Sequence, residues 1–478
     1  MNELLQKYRS LWFAVLLLCL VSFAWMQYVS VSRFLTGHWY LADVGNIWAC
    51  LANTAHGRFM YSPMMEVNHF ACHFTPFLLL LVPLTWCSDY ALPLVSSYLF
   101  AIAFCPIPIT LLALRKGLSP VLTFLCGVLF LCNIYVGSLA LADHFEAWYV
   151  FLMLCVMATW QRRGVLFWLL LVLAMSVRED AGVWVLVYAI YESVSAKLNG
   201  SCAKERNHFL RVCSVCLLWL LMSGIVLFGV SQAQPAGSSS ISDYTERFAG
   251  FGFGWDTVQT LGILVLSVGG LCLFSGKALF LCLIPLPILL VGFPFMRELR
   301  YYYSYPFLPF LTFAMISGCA AVTRYFDRKQ FVWGKSVLVI WMSVFAIAQL
   351  FLPTFTDGYY RKPWTITAKD VRAKQALSAI LPRDAKVAVS FGAFGLVPYR
   401  SQGMNMFEEK YITSDSWVVL WLARHCGMEQ ERFMRLARSV MDEVDAGRRR
   451  VRYDRDDLLI ISPVVSDDSA TTTTRQRL

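Results

Sequence analysis

Residues 162–197 read RRGVLFWLLLVLAMSVREDAGVWVLVYAIYESVSAK, and the pattern of apolar runs and charges in them indicates the class of fold. Two apolar runs, 164–177 and 181–195, are separated by the charged triplet Arg-Glu-Asp at 178–180 and are flanked by basic residues. Three consecutive charges at such a position cannot face lipid cheaply, and basic loops favour the cytoplasmic side of a membrane. The stretch therefore predicts a membrane hairpin with a charged turn on the non-cytoplasmic face. The alternative interpretation of the triplet is an ordinary short loop.

The composition is that of a multi-pass membrane protein. Of the 478 residues, 58% are apolar and 15% are charged, and the mean hydropathy is +0.56. The net charge of +10 does not indicate nucleic acid, because most basic residues lie in short loops where the positive-inside rule explains them. The fifteen cysteines show no paired CxxC motifs at zinc spacing. Cys50 and Cys72 share one predicted outer loop, and the sequence leaves their pairing open.

Charge and hydropathy together predict an α-helical multi-pass membrane protein with about 11–12 membrane helices and a cytoplasmic N-terminus. The run at 11–31 is longer than the apolar core of a signal peptide and is predicted to be a retained first helix. Segment 74–87 contains Pro76 and Pro83 and is too short to cross, so a re-entrant or interfacial position is predicted. The other predicted crossings are 92–114, 119–141, 145–160, 164–177, 181–195, 212–230, 257–276, 278–296, 303–323 and 332–352.

The chain is predicted to divide into three parts. Residues 1–352 form the membrane domain, whose first outer loop covers 32–73. After Pro353 the long apolar runs end, and 353–465 are predicted to form a small extracytoplasmic α/β domain. Residues 466–478, which carry a Thr run, are predicted to be disordered. The α/β domain is predicted to contain helices at 366–381 and 428–446 and strands at 386–390, 417–420 and 458–462.

Acidic, histidine and arginine residues collect in the loops predicted to lie outside the membrane. Ionisable residues at membrane depth are costly and usually functional, so these clusters indicate an active site or a transport path that opens away from the cytoplasm. The candidate substrate-binding residues are His69, His73, Asp143, His144, Glu146, Arg178, Glu179, Asp180, Arg297, Arg300 and Tyr302.

Asp43 lies just beyond the first predicted helix. If the residues around it form a helix, Asp43, Asn46 and Asn53 share one face, and Ile47 and Leu51 lie on the other. That pattern predicts a helix along the membrane surface that holds one carboxylate at the water boundary. The alternative interpretation is that Asp43 only caps the helix.

Two further clusters suit anionic or hydroxyl ligands. His69 and His73 are four residues apart, so on a helix they would share a face, as metal-binding histidines do. No third ligand follows at a diagnostic spacing, so hydrogen bonding to phosphate or hydroxyl is favoured and no metal or other cofactor is predicted. Arg297 and Arg300 precede a tyrosine cluster that includes Tyr302. Guanidinium forks suit phosphate, although the tyrosines alternatively form an interfacial belt.

Several short motifs follow one another along the chain. They are Asp43-Val-Gly-Asn, His-Gly-Arg at 56–58, His73-Phe-Thr-Pro, Asp143-His144-x-Glu146, Arg178-Glu179-Asp180 and Tyr302-x-x-Tyr305-Pro306. Their order resembles that of a family of bacterial predicted membrane proteins, domain of unknown function 2079, over about residues 10–420. The chain departs from the family's pattern at Arg178, where Lys is expected, and at Asn46-Ile-Trp, where Gln is common.

That family is similar to GT-C membrane glycosyltransferases, which pass a sugar from a polyprenyl-phosphate donor to an acceptor on the outer membrane face. The resemblance implies a GT-C-like fold, hexosyl or pentosyl transfer, and a polyprenyl-phosphate sugar lipid as partner, with no nucleic acid. It implies a location in the bacterial inner membrane, with the C-terminal domain on the periplasmic or extracytoplasmic side. It implies for Asp43 the role of a general base or acceptor-orienting group. Arg178, Arg297 or Arg300 would hold the departing phosphate.

Two other functions use the same features. A transporter or flippase of a lipid-linked or small substrate would use the charged residues as a translocation path, and inverted repeats with matching broken helices would favour it. The sequence shows no clear repeat of that kind. A non-catalytic membrane assembly or sensor protein would instead bind a partner through the outer α/β domain. A sugar-transfer assay separates the enzyme from both.

Overall fold

The structure is a computed structural model, and it describes residues 6–37, 42–198, 203–233, 254–283, 298–299, 301–351, 363–399, 404–421 and 430–464. The chain divides into two compact units. The first, called here the membrane unit, consists of Met1–Ser30, Phe70–Leu80 and Val95–Pro363. The second, called the sheet unit, consists of Val31–His69, Leu81–Leu94 and Trp364–Leu478. The predicted domain boundary after 352 and the predicted disordered tail at 466–478 both lie outside the described residues and stay predictions.

Helices make up most of the chain up to residue 351. They form because long apolar runs satisfy their backbone polar groups internally, which a membrane requires. The helices are α1 (Arg9–Leu35), α2 (Ala42–Ala55), α3 (Leu92–Phe104), α4 (Pro106–Arg115), α5 (Pro120–Cys132), α6 (Ile134–Ala142), α7 (Glu146–Thr159), α8 (Val165–Ser176), α9 (Ala181–Leu198), α10 (Ala203–Gln232), α11 (Trp255–Leu266), α12 (Leu279–Leu283), α13 (Phe307–Arg328) and α14 (Gly334–Phe351).

Fewer described helices are long enough to cross a membrane than the sequence predicted. By length and hydropathy, five candidate spans are present, or up to six if α5 and α6, bent by 50°, count as one. The predicted crossings at 145–160 and 164–177 form helices of 14 and 12 residues. Most of the predicted crossing at 278–296 lies outside the described residues. Segment 74–87 forms an 11-residue 3-10 helix, Pro76–Trp86, which is not among the candidate spans.

The hairpin predicted from the opening stretch forms as α8 and α9. Helix α8 ends at Ser176 and α9 begins at Ala181, so the charged triplet at 178–180 occupies the junction between two apolar helices. Two junctions earlier, between α6 and α7, Asp143 ends α6 in the left-handed conformation, with φ of 51°. Asp and Asn tolerate this conformation better than most residues, and it turns the chain sharply before α7. Both turns bring charged residues to helix ends.

The C-terminal part of the sheet unit contains a five-stranded sheet. Its strands are β3 (Val387–Val389), β4 (Met404–Met406), β5 (Trp417–Trp421), β6 (Arg449–Arg455) and β7 (Leu458–Pro463), in the order β4-β3-β5-β7-β6. β3 pairs in parallel with β4 and β5, whereas β7 is antiparallel to β5 and β6. Helices α15 (Ala368–Ile380) and α16 (Gln430–Asp445) accompany it. Phe433 and Val440 on α16 pack against Val418 and Ile461 in a common core.

The N-terminal part of the sheet unit contains α2 and the short hairpin β1 (Tyr61–Ser62) and β2 (Val67–Asn68). The predicted helix forms, but both of its faces are buried: Asn46 and Asn53 on the predicted polar face are only 6% and 1% exposed. The β-hairpin covers that face, because Ser62 donates a 2.8 Å hydrogen bond to Asn46 and Asn53 donates a 2.9 Å bond to the Tyr61 carbonyl. These hydrogen bonds on the polar face of α2 therefore join the β-hairpin to the helix.

Candidate functional site

The centre of the candidate site is an ion pair between the α8–α9 junction and the start of α7. Arg178 Nη1 donates a 2.6 Å hydrogen bond to Glu146 Oε1. Glu146 is fully buried, and only 13% of the Arg178 side chain is exposed. The guanidinium also packs over the Tyr305 ring, 5.3 Å from the ring centroid. A buried charge is tolerated only when it is paired and hydrogen-bonded, and both partners meet this condition.

His144 contacts the second oxygen of the same carboxylate. His144 Nδ1 and Glu146 Oε2 form a hydrogen bond, and the His144 ring stacks on Tyr302 with centroids 4.1 Å apart and an interplanar angle of 15°. Tyr302 in turn stacks on Tyr303 at 4.6 Å. Ser138 on α6 donates a 3.2 Å hydrogen bond to the Tyr301 carbonyl and so ties the tyrosine segment to the helix. The result is a continuous aromatic stack beside a buried carboxylate.

Glu179 faces the loop that contains His73. His73 Nδ1 and Glu179 Oε1 are 3.0 Å apart, and Arg178 Nε lies 3.7 Å from the same oxygen. Burial raises the pKa of the Glu179 carboxyl, but His73 and then Arg178 outweigh it and lower the pKa to about 2. Glu179 is therefore an anion throughout the physiological range.

Asp180 has a different environment from Glu179. Its Oδ2 accepts hydrogen bonds from Trp184 Nε1, at 3.1 Å, and from the Tyr305 hydroxyl. Burial raises the pKa of Asp180; the Arg178 charge opposes this rise and the Glu179 charge adds to it. The Asp180 side chain is 36% exposed, which is more than that of Glu146 or Glu179. Two adjacent carboxyl groups thus have pKa values shifted in opposite directions, an arrangement often found at functional sites.

The site, called the charged cluster below, brings together seven of the candidate residues. They are His73, His144, Glu146, Arg178, Glu179, Asp180 and Tyr302. Three carboxylates face one guanidinium and two imidazoles, so the charge of Arg178 is already balanced. This arrangement suits sugar hydroxyls, which donate to carboxylates, better than it suits another anion. Among the described residues, no three His, Cys, Asp or Glu side chains group as metal ligands would.

The other candidate residues lie elsewhere. Asp143 is buried, and its left-handed backbone conformation forms the turn immediately before His144. Asp43 and His69 belong to the sheet unit, and the 3-10 helix His69–Ala71 replaces the α-helix that would have put His69 and His73 on one face. Asp43, half-buried, occupies the first turn of α2. Arg297 and Arg300 lie outside the described residues.

The sequence reasoning missed Tyr305 and Trp184 as site residues. Trp184 is four residues after Asp180, the spacing at which side chains meet on a helix, so this contact had a local signal. Tyr305 lies 125 residues from Asp180. The motif Tyr302-x-x-Tyr305-Pro306 contains it, but no local pattern pairs it with Asp180.

Comparison with known proteins agrees with this architecture. A family model described as a predicted membrane protein (DUF2079) matches residues 43–420. None of the curated proteins matches the chain. The crystal structure of ArnT from Cupriavidus metallidurans bound to undecaprenyl phosphate is similar, with a TM-score of 0.52 and 11% identity, over 93% of this chain and 98% of that one. The apo structure of the same protein gives 0.53 and 10%, over 91% and 97%. These similarities confirm the predicted GT-C-like membrane fold with a small C-terminal sheet region.

Proposed function

The chain belongs to the DUF2079 family of predicted membrane proteins, and within that family we propose that it is a membrane glycosyltransferase. It takes a sugar from a polyprenyl-phosphate donor and passes it to an acceptor at the extracytoplasmic face of the bacterial inner membrane. The observation that carries this proposal is the charged cluster, placed at helix ends of a membrane protein. Its fold is shared with a protein crystallised with undecaprenyl phosphate. Ionisable residues at such positions are costly to keep and mark substrate paths.

In this proposal the charged cluster binds sugar hydroxyls. Asp180 has the most exposed side chain of the three carboxylates and accepts a hydrogen bond from a sugar hydroxyl, while the stack of Tyr302 and Tyr303 offers an aromatic face to a sugar ring. Arg178 is a positioning residue, because its guanidinium is already engaged with Glu146, Glu179 and Asp180. The donor phosphate is then held by Arg297 and Arg300, whose forked guanidinium groups match phosphate oxygens.

Asp43 is proposed as the general base that takes the proton of the acceptor hydroxyl. It lies in the first turn of α2 and forms no ion pair with any residue that the structure describes. Its helix is fixed three residues later, where Asn46 accepts the hydrogen bond from Ser62. A carboxylate on a rigid element, with no cation paired to it among the described residues, suits a base.

The proposal is tested with the full chain in nanodiscs and a set of labelled polyprenyl-phosphate sugars. The wild type is expected to consume one of them, and Asp43→Asn to lower the rate by about 100-fold or more, the usual contribution of a general base. Asp384→Asn, an exposed carboxylate of the sheet unit, is the matched control and should stay within about twofold.

Two outcomes would contradict the proposal. If Asp43→Asn transfers sugar at the wild-type rate, Asp43 only caps its helix and the base lies elsewhere. If no labelled sugar is transferred, but the intact lipid crosses proteoliposome membranes faster than in empty vesicles, the protein is a flippase.

A further inference from the structure

A polar cavity lies in the membrane unit, outside the charged cluster. Its volume is about 690 Å³, and its charged lining residues are Arg115, Lys116, Lys277, Arg324 and Glu192. Four cations therefore face a single carboxylate. This site is called the basic cavity.

The basic cavity lies at the opposite end of the helices that begin at the charged cluster. Asp180 immediately precedes α9, and Glu192 lies 12 residues further along the same helix, which corresponds to about 18 Å. Tyr305 lies just before α13, and Arg324 is close to the other end of that helix. The two sites are thus separated along two helices.

The cations of the basic cavity keep their hydrogen-bond donors available. Within the described part of the chain, none of the four forms an ion pair with a carboxylate. Arg115 donates to the Ala158 carbonyl, and the Lys116 amine lies 4.8 Å from the centroid of the Phe313 ring. Glu192 accepts a 2.8 Å hydrogen bond from the Tyr188 hydroxyl and, in the described part of the chain, forms no ion pair with the four cations.

A buried hydroxyl also points to a missing partner in this cavity. Ser317 on α13 lines the cavity, is only 8% exposed, and its Oγ has no hydrogen-bond partner among the described residues. Buried polar groups are satisfied in nearly all native structures, so such a hydroxyl needs an explanation. An anion with several oxygen atoms would accept from both the serine and the cations.

An apolar pocket adjoins the basic cavity. Its volume is about 510 Å³, it shares Phe274 and Ala321 with the basic cavity, and its other lining residues include Val337 and Trp341. A polar, cationic space next to an apolar one fits an amphiphile. We propose that the basic cavity binds the phosphate group of a membrane lipid, and that the lipid chain occupies the apolar pocket.

The test measures lipid binding to the purified, delipidated full chain by native mass spectrometry. The probes are dioctanoyl phosphatidic acid, dioctanoyl phosphatidylcholine as a lipid without a phosphate monoester, and inorganic phosphate. The wild type is expected to bind phosphatidic acid most tightly. The double variant Lys277→Gln with Arg324→Gln, both exposed positions, should weaken that binding by at least about tenfold. Arg328→Gln, four residues further along α13 and outside the cavity, is the matched control and should bind within about twofold of the wild type.

A further variant distinguishes a lipid phosphate from free phosphate. Val337→Glu places a carboxylate in the apolar pocket, so it should weaken the binding of phosphatidic acid and leave the binding of inorganic phosphate unchanged. If inorganic phosphate binds as tightly as phosphatidic acid and Val337→Glu affects neither, the cavity takes free phosphate and the lipid assignment is overturned. If the double variant binds like Arg328→Gln, the basic cavity is not the binding site. Lys277→Gln alone gives the same comparison if the double variant is not monodisperse.

Discussion

Arg178 Nη1 donates to Glu146 Oε1 over 2.6 Å, and this contact ties the α8–α9 junction to the first turn of α7. The two residues are 32 positions apart in the chain, and Glu146 is completely buried. A buried pair adds little stability compared with an apolar replacement, but breaking it leaves a buried charge without compensation. The contact therefore fixes where the other carboxylates of the charged cluster lie.

Replacing Glu146 tests how strongly the charged cluster depends on this pair. Glu146→Gln keeps the shape of the side chain and removes its charge. We expect the free energy of unfolding to fall by about 3 kcal/mol, at the lower end for a broken buried pair, because Glu179 and Asp180 still face Arg178. The measurement is thermal unfolding of the purified protein in detergent.

An exposed ion pair provides the control for that measurement. Lys335 and Asp327 are 3.0 Å apart, and each side chain is 56% exposed. Lys335→Gln should therefore cost less than about 1 kcal/mol. Equal losses for Glu146→Gln and Lys335→Gln would mean that the Arg178–Glu146 contact is not desolvated in the protein.

Acid should weaken the fold through Glu179. Burial raises the pKa of this carboxyl, but His73 and Arg178 lower it from 4.5 to about 2. A lowered folded-state pKa gives stability that is present above pH 4.5 and is lost as the pH falls toward 2. Between pH 6 and pH 3, we expect the melting temperature of His73→Ala to fall less than that of the wild type. His56→Ala is the control, because His56 Nδ1 contacts the Ala52 carbonyl and, in the part of the chain that the structure describes, forms no ion pair with a carboxylate.

The charged hairpin and the C-terminal elements could be predicted because their signals are local. The charged triplet between two apolar runs located the α8–α9 junction. Alternating or continuous apolar residues located β3, β5 and β7, and helical periodicity located α15 and α16, each within a few residues of the observed bounds. These elements bury a face, and burial is what a hydrophobic pattern records.

Strand β6 was missed because its sequence, Arg449–Arg455, is mostly charged. It is one of the two edge strands of the sheet, so only one long side pairs with a neighbour, and most of its side chains reach solvent. Charged residues are common on edge strands, where they prevent unwanted pairing. The candidate site was predictable as a set of residues but not as contacts. His73 and Glu179 are 106 residues apart, and no local pattern pairs them.

Replacing Gly45 on α2 with any residue that has a side chain should destabilise the protein. A Cβ at this position would lie 2.6 Å from the Gly395 amide nitrogen and 2.7 Å from the Phe394 carbonyl oxygen, so α2 would have to move away from the 3-10 helix Phe391–Leu396. We expect Gly45→Ala to lower the free energy of unfolding by about 1–3 kcal/mol. Gly224→Ala on α10 is the control. A Cβ there has no described atom within 4 Å, and the substitution should stabilise the helix by up to about 1 kcal/mol. Equal effects would show that α2 does not pack this closely.

The proposed orientation in the membrane is tested by cysteine labelling in a variant without native cysteines. Ser201, Ser238 and Ser466 lie outside the described residues, and each is replaced by cysteine in turn. Because basic residues flank Ser201 in the segment from Lys197 to Arg211, the positive-inside rule places Ser201 in the cytoplasm. An impermeant thiol reagent applied to intact cells should then label Ser238→Cys and Ser466→Cys but label Ser201→Cys only after the membrane is permeabilised. Labelling of Ser201→Cys alone in intact cells would reverse the orientation. The charged cluster would then face the cytoplasm, away from an extracytoplasmic acceptor.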